Sequence, residues 1–279
     1  MIEILNAITY LAAACVLFLV GKLAYNLSQP NIKLHHELLE KDNFAVSLSI
    51  TGYYVGLVLC IGAAIVGPSA GIVQDLVNIG IYGGLGIVLL NISSVLNDKL
   101  IFRNFKISKE LVEDRNAGTG AVEMANFIAN GLIVYGAIIG EDGNLITALG
   151  TWAFAQLLFI AAAKVYNFVL PYNIHEHIEK DNVAVGIGYG GALVAFANII
   201  RFASQTEFET WQDHLLTIGI DAAAGFLLIP AMRLVTDKIL LPGRNLTDEI
   251  VNQEHPNNGA ALIEAFAYIG GSVLICFTL

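Results

Sequence analysis

Eight long, uninterrupted apolar stretches constrain this chain more than any other feature of its sequence. A helix that crosses the hydrocarbon layer of a bilayer, about 30 Å thick, needs about 20 mostly apolar residues. Strands of a membrane barrel alternate in segments of about ten residues, and these continuous runs do not. The sequence predicts eight transmembrane helices, at residues 4–27, 43–66, 72–96, 118–139, 145–169, 182–202, 214–235 and 259–279.

The composition agrees with a membrane protein and excludes several soluble classes. Of the 279 residues, 56% are hydrophobic and 14% are charged, whereas about a quarter of the residues in soluble domains are charged. A water-soluble globule, a disordered chain and a nucleic-acid-binding protein are excluded, the last also by the net charge of -10. Because no nucleotide loop, nucleophile elbow or His-Glu-x-x-His motif occurs, we expect neither enzymatic activity nor a cofactor.

Basic residues predict how the helices are oriented in the membrane. All but one of the 14 lysines and arginines fall at the first, third, fifth and seventh connections, and Arg201 alone lies on the opposite side. Loops that are rich in lysine and arginine stay in the cytoplasm. The sequence therefore predicts that both termini lie outside the cytoplasm.

The chain contains two copies of one unit. The heptapeptide EKDNFAV in the first half recurs as EKDNVAV in the second. The same offset carries Asp98 onto Asp237, and a two-residue insertion brings Glu123 onto Glu264. Chance does not place these matches in the same order, so the chain is a tandem repeat.

Each unit, residues 1–140 and residues 141–279, contains four of the predicted helices. Because four is an even number, both copies enter the membrane in the same direction, and we expect a pseudo-twofold axis along the membrane normal to relate them. The predicted fold class is all-α: a polytopic membrane protein whose eight transmembrane helices form two parallel-repeat four-helix units.

Glycines at a spacing of four residues predict where helices pack closely. Gly52 and Gly56 lie on the second helix, and Gly80 and Gly84 lie on the third. Small residues let helix backbones approach each other in a bilayer, where the hydrophobic effect does not drive helices together. Both glycine pairs are therefore predicted to be packing seams.

The repeated motifs resemble those of a known family. The paired EKDN segments, the Asp-Lys pairs that end the third helix of each unit, and the EDRN motif before a glycine-rich helix bearing Glu123 are similar to the YjfL-type bacterial inner-membrane proteins. This is a domain-of-unknown-function family, number three-fifty, here in its tandem two-unit form. Residues 253–259, QEHPNNG, depart from the pattern because this segment is longer and less basic than its counterpart in the first unit.

The resemblance implies a helical membrane fold, a location in the bacterial inner membrane and no established activity. It also implies an association with membrane-stress proteins of the phage-shock type. The partners that we predict are the lipid bilayer and, in one alternative, anionic lipid or such a peripheral stress protein. Self-association is left open, and nucleic acid is excluded.

Acidic residues within the predicted helices are the candidate site residues. Glu123 and Glu264 fall about five residues into the fourth and eighth helices, roughly 7 Å below the cytoplasmic surface, and Asp98 and Asp237 lie at a comparable depth. A carboxylate there must face the bundle interior, pair with a cation or be protonated. An ion or substrate site, a structural ion pair and a lipid-headgroup contact remain as alternatives. Asp221 is the deepest acid, near the middle of the seventh helix, and is a candidate for an intramembrane lock between helices, with a transport role as the alternative.

Two function hypotheses follow from these patterns. The repeat-matched acids favour a conduit for a small cation or small solute, because paired carboxylates select cations. The alternative is a non-transporting scaffold whose basic loop recruits a stress-response protein or anionic lipid. That loop contains Arg103, Lys106, Lys109 and Arg115, and these bases have the simpler alternative role of setting the topology. The histidine-containing connectors provide too few ligands for a zinc site, so no metal site is predicted.

Overall fold

The computed structural model describes residues 2–67, 69–102, 106–140 and 144–278, without the side chains of Ile2 and Leu228. Within those residues, eight helices are long and apolar enough to cross a membrane. They are α1 (Ile2–Ser28), α2 (Phe44–Ile65), α3 (Ile72–Leu100), α5 (Ala117–Ile139), α6 (Leu145–Val169), α8 (Val183–Ala203), α9 (Trp211–Val235) and α10 (Asn258–Cys276). The predicted fold class is confirmed, and α3 continues four residues beyond its predicted end.

Short segments join the spanning helices on one side of the membrane, which we call the connector face. They are the helices α4 (Ile107–Val112) and α7 (Ile174–Glu179) and the π-helical segments His36–Glu40, Thr236–Leu240 and Asp248–Asn252. The other side carries both ends of the described chain, and we call it the terminal face.

An asparagine begins each helix that leaves the connector face. In α2, α5, α8 and α10 the side-chain oxygen of this N-cap residue accepts a hydrogen bond from the backbone N–H three residues further on. These residues are Asn43, Asn116, Asn182 and Asn257. The cap satisfies one of the donors that every helix start leaves free.

The same asparagines tie successive connectors together. Asn43 donates to the carbonyl oxygen of Leu111 at 2.8 Å, and Asn116 donates to that of Ile178 at 2.7 Å. Asn182 continues the series by donating to a carbonyl in the fourth connector at 2.9 Å. Each of these three caps is therefore held by the connector that follows it along the chain.

The inner helices form a row in the order α2, α5, α8, α10, and α1, α3, α6 and α9 flank it. Small residues bring neighbouring backbones together within the row. A Cβ added to Gly131 of α5 would lie 2.5 Å from the Cα of Gly56 in α2, and one added to Gly186 of α8 would collide with the backbone of Gly118. Gly191 makes the corresponding contact with Ala265 of α10. Dispersion contacts at these close approaches hold the row together.

The expected pseudo-twofold axis is wrong. A twofold axis that brings α5 against α8 must also bring α10 against α2, because α5 corresponds to α10 and α8 to α2. Extensive contacts join α5 to α8, but no comparable contact joins α10 to α2 among the described residues. The two units therefore follow one another in an open row, in which one face of the first unit meets a different face of the second.

The glycine seams are confirmed at one pair and wrong at the other. Any Cβ added to Gly52 would collide with the backbone of Met124, and one added to Gly56 would lie 2.5 Å from the carbonyl oxygen of Phe127. Gly80 and Gly84 have no described atom within 4 Å of an added Cβ. Their spacing reflects sequence composition on a face of α3 that no other described helix approaches closely.

Candidate ion site

Glu123 lies inside the helix row, where lipid does not reach it. It sits in the second turn of α5 between α2 and α8, and 1% of its surface is exposed. Its hydrogen-bond donor is the side-chain amide of Asn126, at 3.4 Å. Asp98, near the end of α3, is close enough for its charge to act on Glu123. No lysine or arginine among the described residues forms an ion pair with either carboxylate.

Buried oxygen atoms without hydrogen-bond partners lie in the same region of the first unit. The hydroxyl group of Tyr25 lies beside that of Ser49 and within range of the charge of Glu123. These two hydroxyls interact with each other, and neither is hydrogen-bonded to another described side chain; one side-chain oxygen each of Ser94, Asn97 and Asp98 has no hydrogen-bond partner among the described residues. Buried polar atoms in proteins are nearly always paired with protein, water or an ion. We call Glu123, Asp98, Tyr25, Ser49, Ser94 and Asn97 the first-unit site.

Glu264, which occupies the position of Glu123 in the second repeat, contacts both a cationic side chain and a hydroxyl donor. The Nη1 atom of Arg233 lies 2.6 Å from its Oε1 atom, in an ion pair whose carboxylate is 1% exposed. The Tyr268 hydroxyl donates to the same oxygen at 2.8 Å and accepts a hydrogen bond from Tyr166 at 2.7 Å. Arg233 also donates to the hydroxyl of Thr247 at 2.9 Å. We call this group the second-unit site, and it is a structural ion pair.

Three substitutions between the repeats account for the difference. Ser94 occupies the position of Arg233, which removes the cation, and Phe127 occupies that of Tyr268, which removes the hydroxyl donor. Ser49 stands where the second unit has a glycine whose added Cβ would lie 2.5 Å from a Glu264 oxygen. The two repeat-matched acids therefore have different surroundings: Glu264 is paired with a cation and Glu123 is not.

A line of hydrogen-bonded polar side chains continues from Glu123 into the middle of the membrane. Asn97 donates to Asn126 at 2.9 Å and to Asn130 at 3.1 Å. Gln156 of α6 donates to Asn130 at 2.9 Å and to Ser93 at 2.9 Å. We call Asn126, Asn97, Asn130, Gln156 and Ser93 the polar line, and every one of these side chains is buried.

The polar line approaches polar groups that lie near the terminal face. Thr151 precedes Gln156 by five residues on α6, a rise of about 7.5 Å. Its hydroxyl contacts His214 at 2.9 Å, and His214 contacts Thr206 at 3.4 Å. Tyr82 borders both this group and a neighbouring open cavity of about 550 Å³. Polar groups therefore follow one another through most of the membrane thickness in the first unit and at its contact with α6.

Sequence reasoning missed the polar line although the sequence contains a signal for it. Thr119, Glu123, Asn126 and Asn130 are spaced by four, three and four residues, which places them on one face of α5. This polar stripe is inconspicuous because the surrounding run is apolar enough to pass as an ordinary spanning helix. Ser93 and Asn97 repeat the four-residue spacing on α3.

The structure places the other predicted site residues apart from this group. Asp237 accepts a hydrogen bond from the backbone N–H of Leu246 at 2.7 Å and so closes a loop. Asp221 is half-buried on α9 and has no hydrogen-bond or ion-pair partner among the described residues, so the predicted lock has no second component there.

The basic loop lies on the connector face. Lys106 and Arg115 are exposed, and Arg103 lies outside the described residues. Lys109 is 2.9 Å from Asp114 in an exposed ion pair, and this hydrogen bond raises the pKa of Lys109 above its ordinary value. No group of three histidine, cysteine or acidic side chains that could hold a metal ion occurs within the described parts of the chain.

Fold and site define a multi-pass helical membrane protein built from a tandem repeat, with one of two matched acidic sites closed by an ion pair. A family model with the description Domain of Unknown Function (DUF350) matches residues 1–138 and again residues 142–279, and the chain belongs to that family. The family membership predicted from the repeated motifs is confirmed.

Comparison with individual proteins shows a similarity to a distant relative. The chain is 28% identical over 180 residues to a UPF0719 transmembrane protein from Aquifex aeolicus (strain VF5). The aligned region is 63% of this chain and 64% of that protein, so it spans less than two thirds of the relative. No solved structure matches the chain.

Proposed function

We propose that the protein is a conduit for a small cation and that the cation passes through the first unit, along α3, α5 and α6. The observation that carries this proposal is the polar line, which ends at two carboxylates that no described base neutralises. Polar and acidic side chains in hydrocarbon are costly and usually mark the path of an ion or a substrate.

The chemistry of the polar line suits a cation. Amide and hydroxyl oxygens can replace the hydration shell of an ion, and several weak sites in series allow it to leave as well as to enter. The carboxylates of Glu123 and Asp98 provide the negative charge at the connector face. The cavity of about 550 Å³ at the terminal face, which Asp75 borders, provides a place of entry on the other side.

The scaffold alternative has less support. Asp114 offsets one of its described bases, Lys109, in an exposed ion pair. Two exposed bases without described partners, Lys106 and Arg115, are also sufficient to set topology. We therefore retain the conduit as the proposed function, and transport in place of enzymatic turnover as the class of activity.

We further propose that the protein resides in a bacterial inner membrane with the connector face in the cytoplasm. The uneven distribution of the basic residues supports this orientation. Single cysteines at Lys106 and at Glu209, in a chain whose own cysteines are replaced by alanine, provide a test in intact cells. A membrane-impermeant maleimide should label the cysteine at Glu209 directly and the one at Lys106 only after permeabilisation. The reverse pattern would refute the orientation.

Flux through proteoliposomes tests the conduit. We expect the full-length protein to carry Na⁺, K⁺ or H⁺ down a gradient and Glu123→Gln to lower that flux at least about tenfold, equivalent to about 1.4 kcal/mol of barrier. Asn130→Leu should have a similar effect because it interrupts the polar line. Glu209→Gln is the matched control, since it makes the same chemical change at an exposed position and should leave the flux unchanged.

Two outcomes would end the conduit proposal. One is the absence of flux for all three cations from a protein that is folded in the same liposomes. The other is a flux that Glu123→Gln and Asn130→Leu leave at the level of the Glu209→Gln control.

A further inference from the structure

The two acidic sites occupy matching positions in the two units and differ in whether a cationic side chain reaches the carboxylate. In the second unit, the guanidinium group of Arg233 reaches from α9 to Glu264. In the first unit, the matching position of α3 is Ser94, whose hydroxyl is buried without a partner among the described residues. We infer that Arg233 acts as a tethered cation and that the first-unit site binds a free, singly charged alkali-metal ion in the corresponding place. The location of this site rests on the proposed function, but the binding does not require passage of the ion.

One positive charge is sufficient to complete the second-unit site. Arg233 lies 2.6 Å from Glu264 and 2.9 Å from the hydroxyl oxygen of Thr247, with its guanidinium carbon 5.8 Å from the ring centre of Tyr172. The nearby acid Asp237 is occupied by a backbone N–H instead. The second unit therefore shows the charge that its single available carboxylate accepts, which is one positive charge.

The first unit lacks that charge and keeps the oxygens that would receive it. Replacing an arginine by a serine removes a guanidinium group together with the two carbon atoms that join it to Cβ. Glu123 and Asp98 then lie within range of each other's charge without a described base. The hydroxyl of Ser94 and one side-chain oxygen of Asn97 have no partners among the described residues, and both side chains are nine-tenths buried or more. The hydroxyls of Tyr25 and Ser49 interact only with each other.

A shared proton explains these atoms less well than a metal ion does. One proton between Glu123 and Asp98 satisfies a single oxygen pair and leaves the buried oxygens of Ser94 and Asn97 without partners among the described residues. A cation can coordinate several oxygens at once, and carboxylate, hydroxyl and amide oxygens are the ligands that hard cations prefer. Mg²⁺ gives up its water reluctantly and demands octahedral geometry. The single charge in the second unit favours a monovalent ion over Ca²⁺.

Equilibrium dialysis of the purified full-length protein with radiolabelled Na⁺ and Rb⁺ tests the inference. We expect the wild-type protein to bind one of these ions per chain and Ser94→Arg to bind none. The introduced arginine should also raise the melting temperature in buffer without alkali-metal ions, because it supplies the missing charge. Ser94→Gln is the matched control: it adds a long uncharged side chain and should give no such rise.

The reciprocal substitution opens the second-unit site. Arg233→Ser should raise the stoichiometry to two ions per chain and make the melting temperature depend on Na⁺ or Rb⁺. If this variant does not fold, Ser94→Arg alone decides. A wild-type protein that binds neither ion would overturn the inference, as would binding that Ser94→Arg leaves intact or stoichiometric binding of Ca²⁺ in place of the monovalent ions.

The outcomes separate this inference from the proposed conduit. Ion binding that Ser94→Arg abolishes, in a protein without flux, would support the inference and reject the conduit. Proton flux that depends on Glu123, in a protein that binds neither Na⁺ nor Rb⁺, would support the conduit and reject the inference.

Discussion

Glu264→Gln is expected to lower the melting temperature of the protein in detergent far more than Glu123→Gln. Removal of Glu264 leaves the partly buried guanidinium group of Arg233 without its counter-charge, and breaking a buried ion pair in this way costs about 3–5 kcal/mol. Glu123 accepts one long hydrogen bond of 3.4 Å and lies near the negative charge of Asp98. In buffer without alkali-metal ions, its replacement by the neutral isostere should therefore change stability little.

A double substitution separates charge pairing from packing in this experiment. Arg233→Met combined with Glu264→Gln should recover a large part of the stability that Glu264→Gln alone loses, because no charge is then left unpaired. Asp221→Asn is a further comparison, with a small expected effect because Asp221 has no partner among the described residues. Equal losses at Glu123 and Glu264 would contradict the asymmetry between the two units.

Gly56→Leu is expected to destabilise the protein, whereas Gly84→Leu is expected to have almost no effect. An added Cβ at Gly56 would lie 2.5 Å from the carbonyl oxygen of Phe127, so a leucine there forces α2 and α5 apart. Overpacking of this kind costs about 1–3 kcal/mol and occasionally more. At Gly84 no described atom lies within 4 Å of an added Cβ.

Gly84→Leu is a matched control for Gly56→Leu. Both positions end a G-x-x-x-G pair within a spanning helix, and both substitutions add the same apolar side chain. Melting temperatures in one detergent provide the measurement. A loss at Gly84 as large as that at Gly56 would show that the face of α3 is covered, which the described contacts do not show.

The spanning helices could be predicted from the sequence because the cost of placing polar backbone in lipid is a local property. Every stretch of about 20 apolar residues must be helical in hydrocarbon, whichever helix it packs against. The predicted ends agree with the structure within a few residues at most helices; α3, which continues to Leu100, shows the largest extension.

The partners of the acidic residues could not be predicted in this way, because they depend on the register between helices. Arg233 and Glu264 are 31 residues apart, and the sequence placed Arg233 among the bases that set topology. A position-by-position comparison of the repeats contained the missing information. Where the first unit has Ser94 and Phe127, the second unit has Arg233 and Tyr268. Both of the second-unit residues contact the carboxylate of Glu264.

The relation between the units was mispredicted for a different reason. An even number of helices in each unit determines that both copies enter the membrane in the same direction. It does not determine the rotation that relates them, and the packing of α5 on α8 without a matching contact between α10 and α2 shows an open arrangement. Helix counting alone carries no information about that contact.

The forward direction of the asparagine contacts gives the assembly an order. The side-chain amides of Asn43 and Asn116 each donate to a backbone carbonyl of the next connector, and that of Asn182 donates to a carbonyl of the last connector. Because the chain is synthesised from its N-terminus, each pair of helices completes the anchoring of the pair already in the membrane. Asn257 lies in the last connector, and its side-chain amide donates to Glu249 of the same connector at 3.0 Å. Each helical hairpin is therefore fully anchored at the connector face only after the next hairpin has been made.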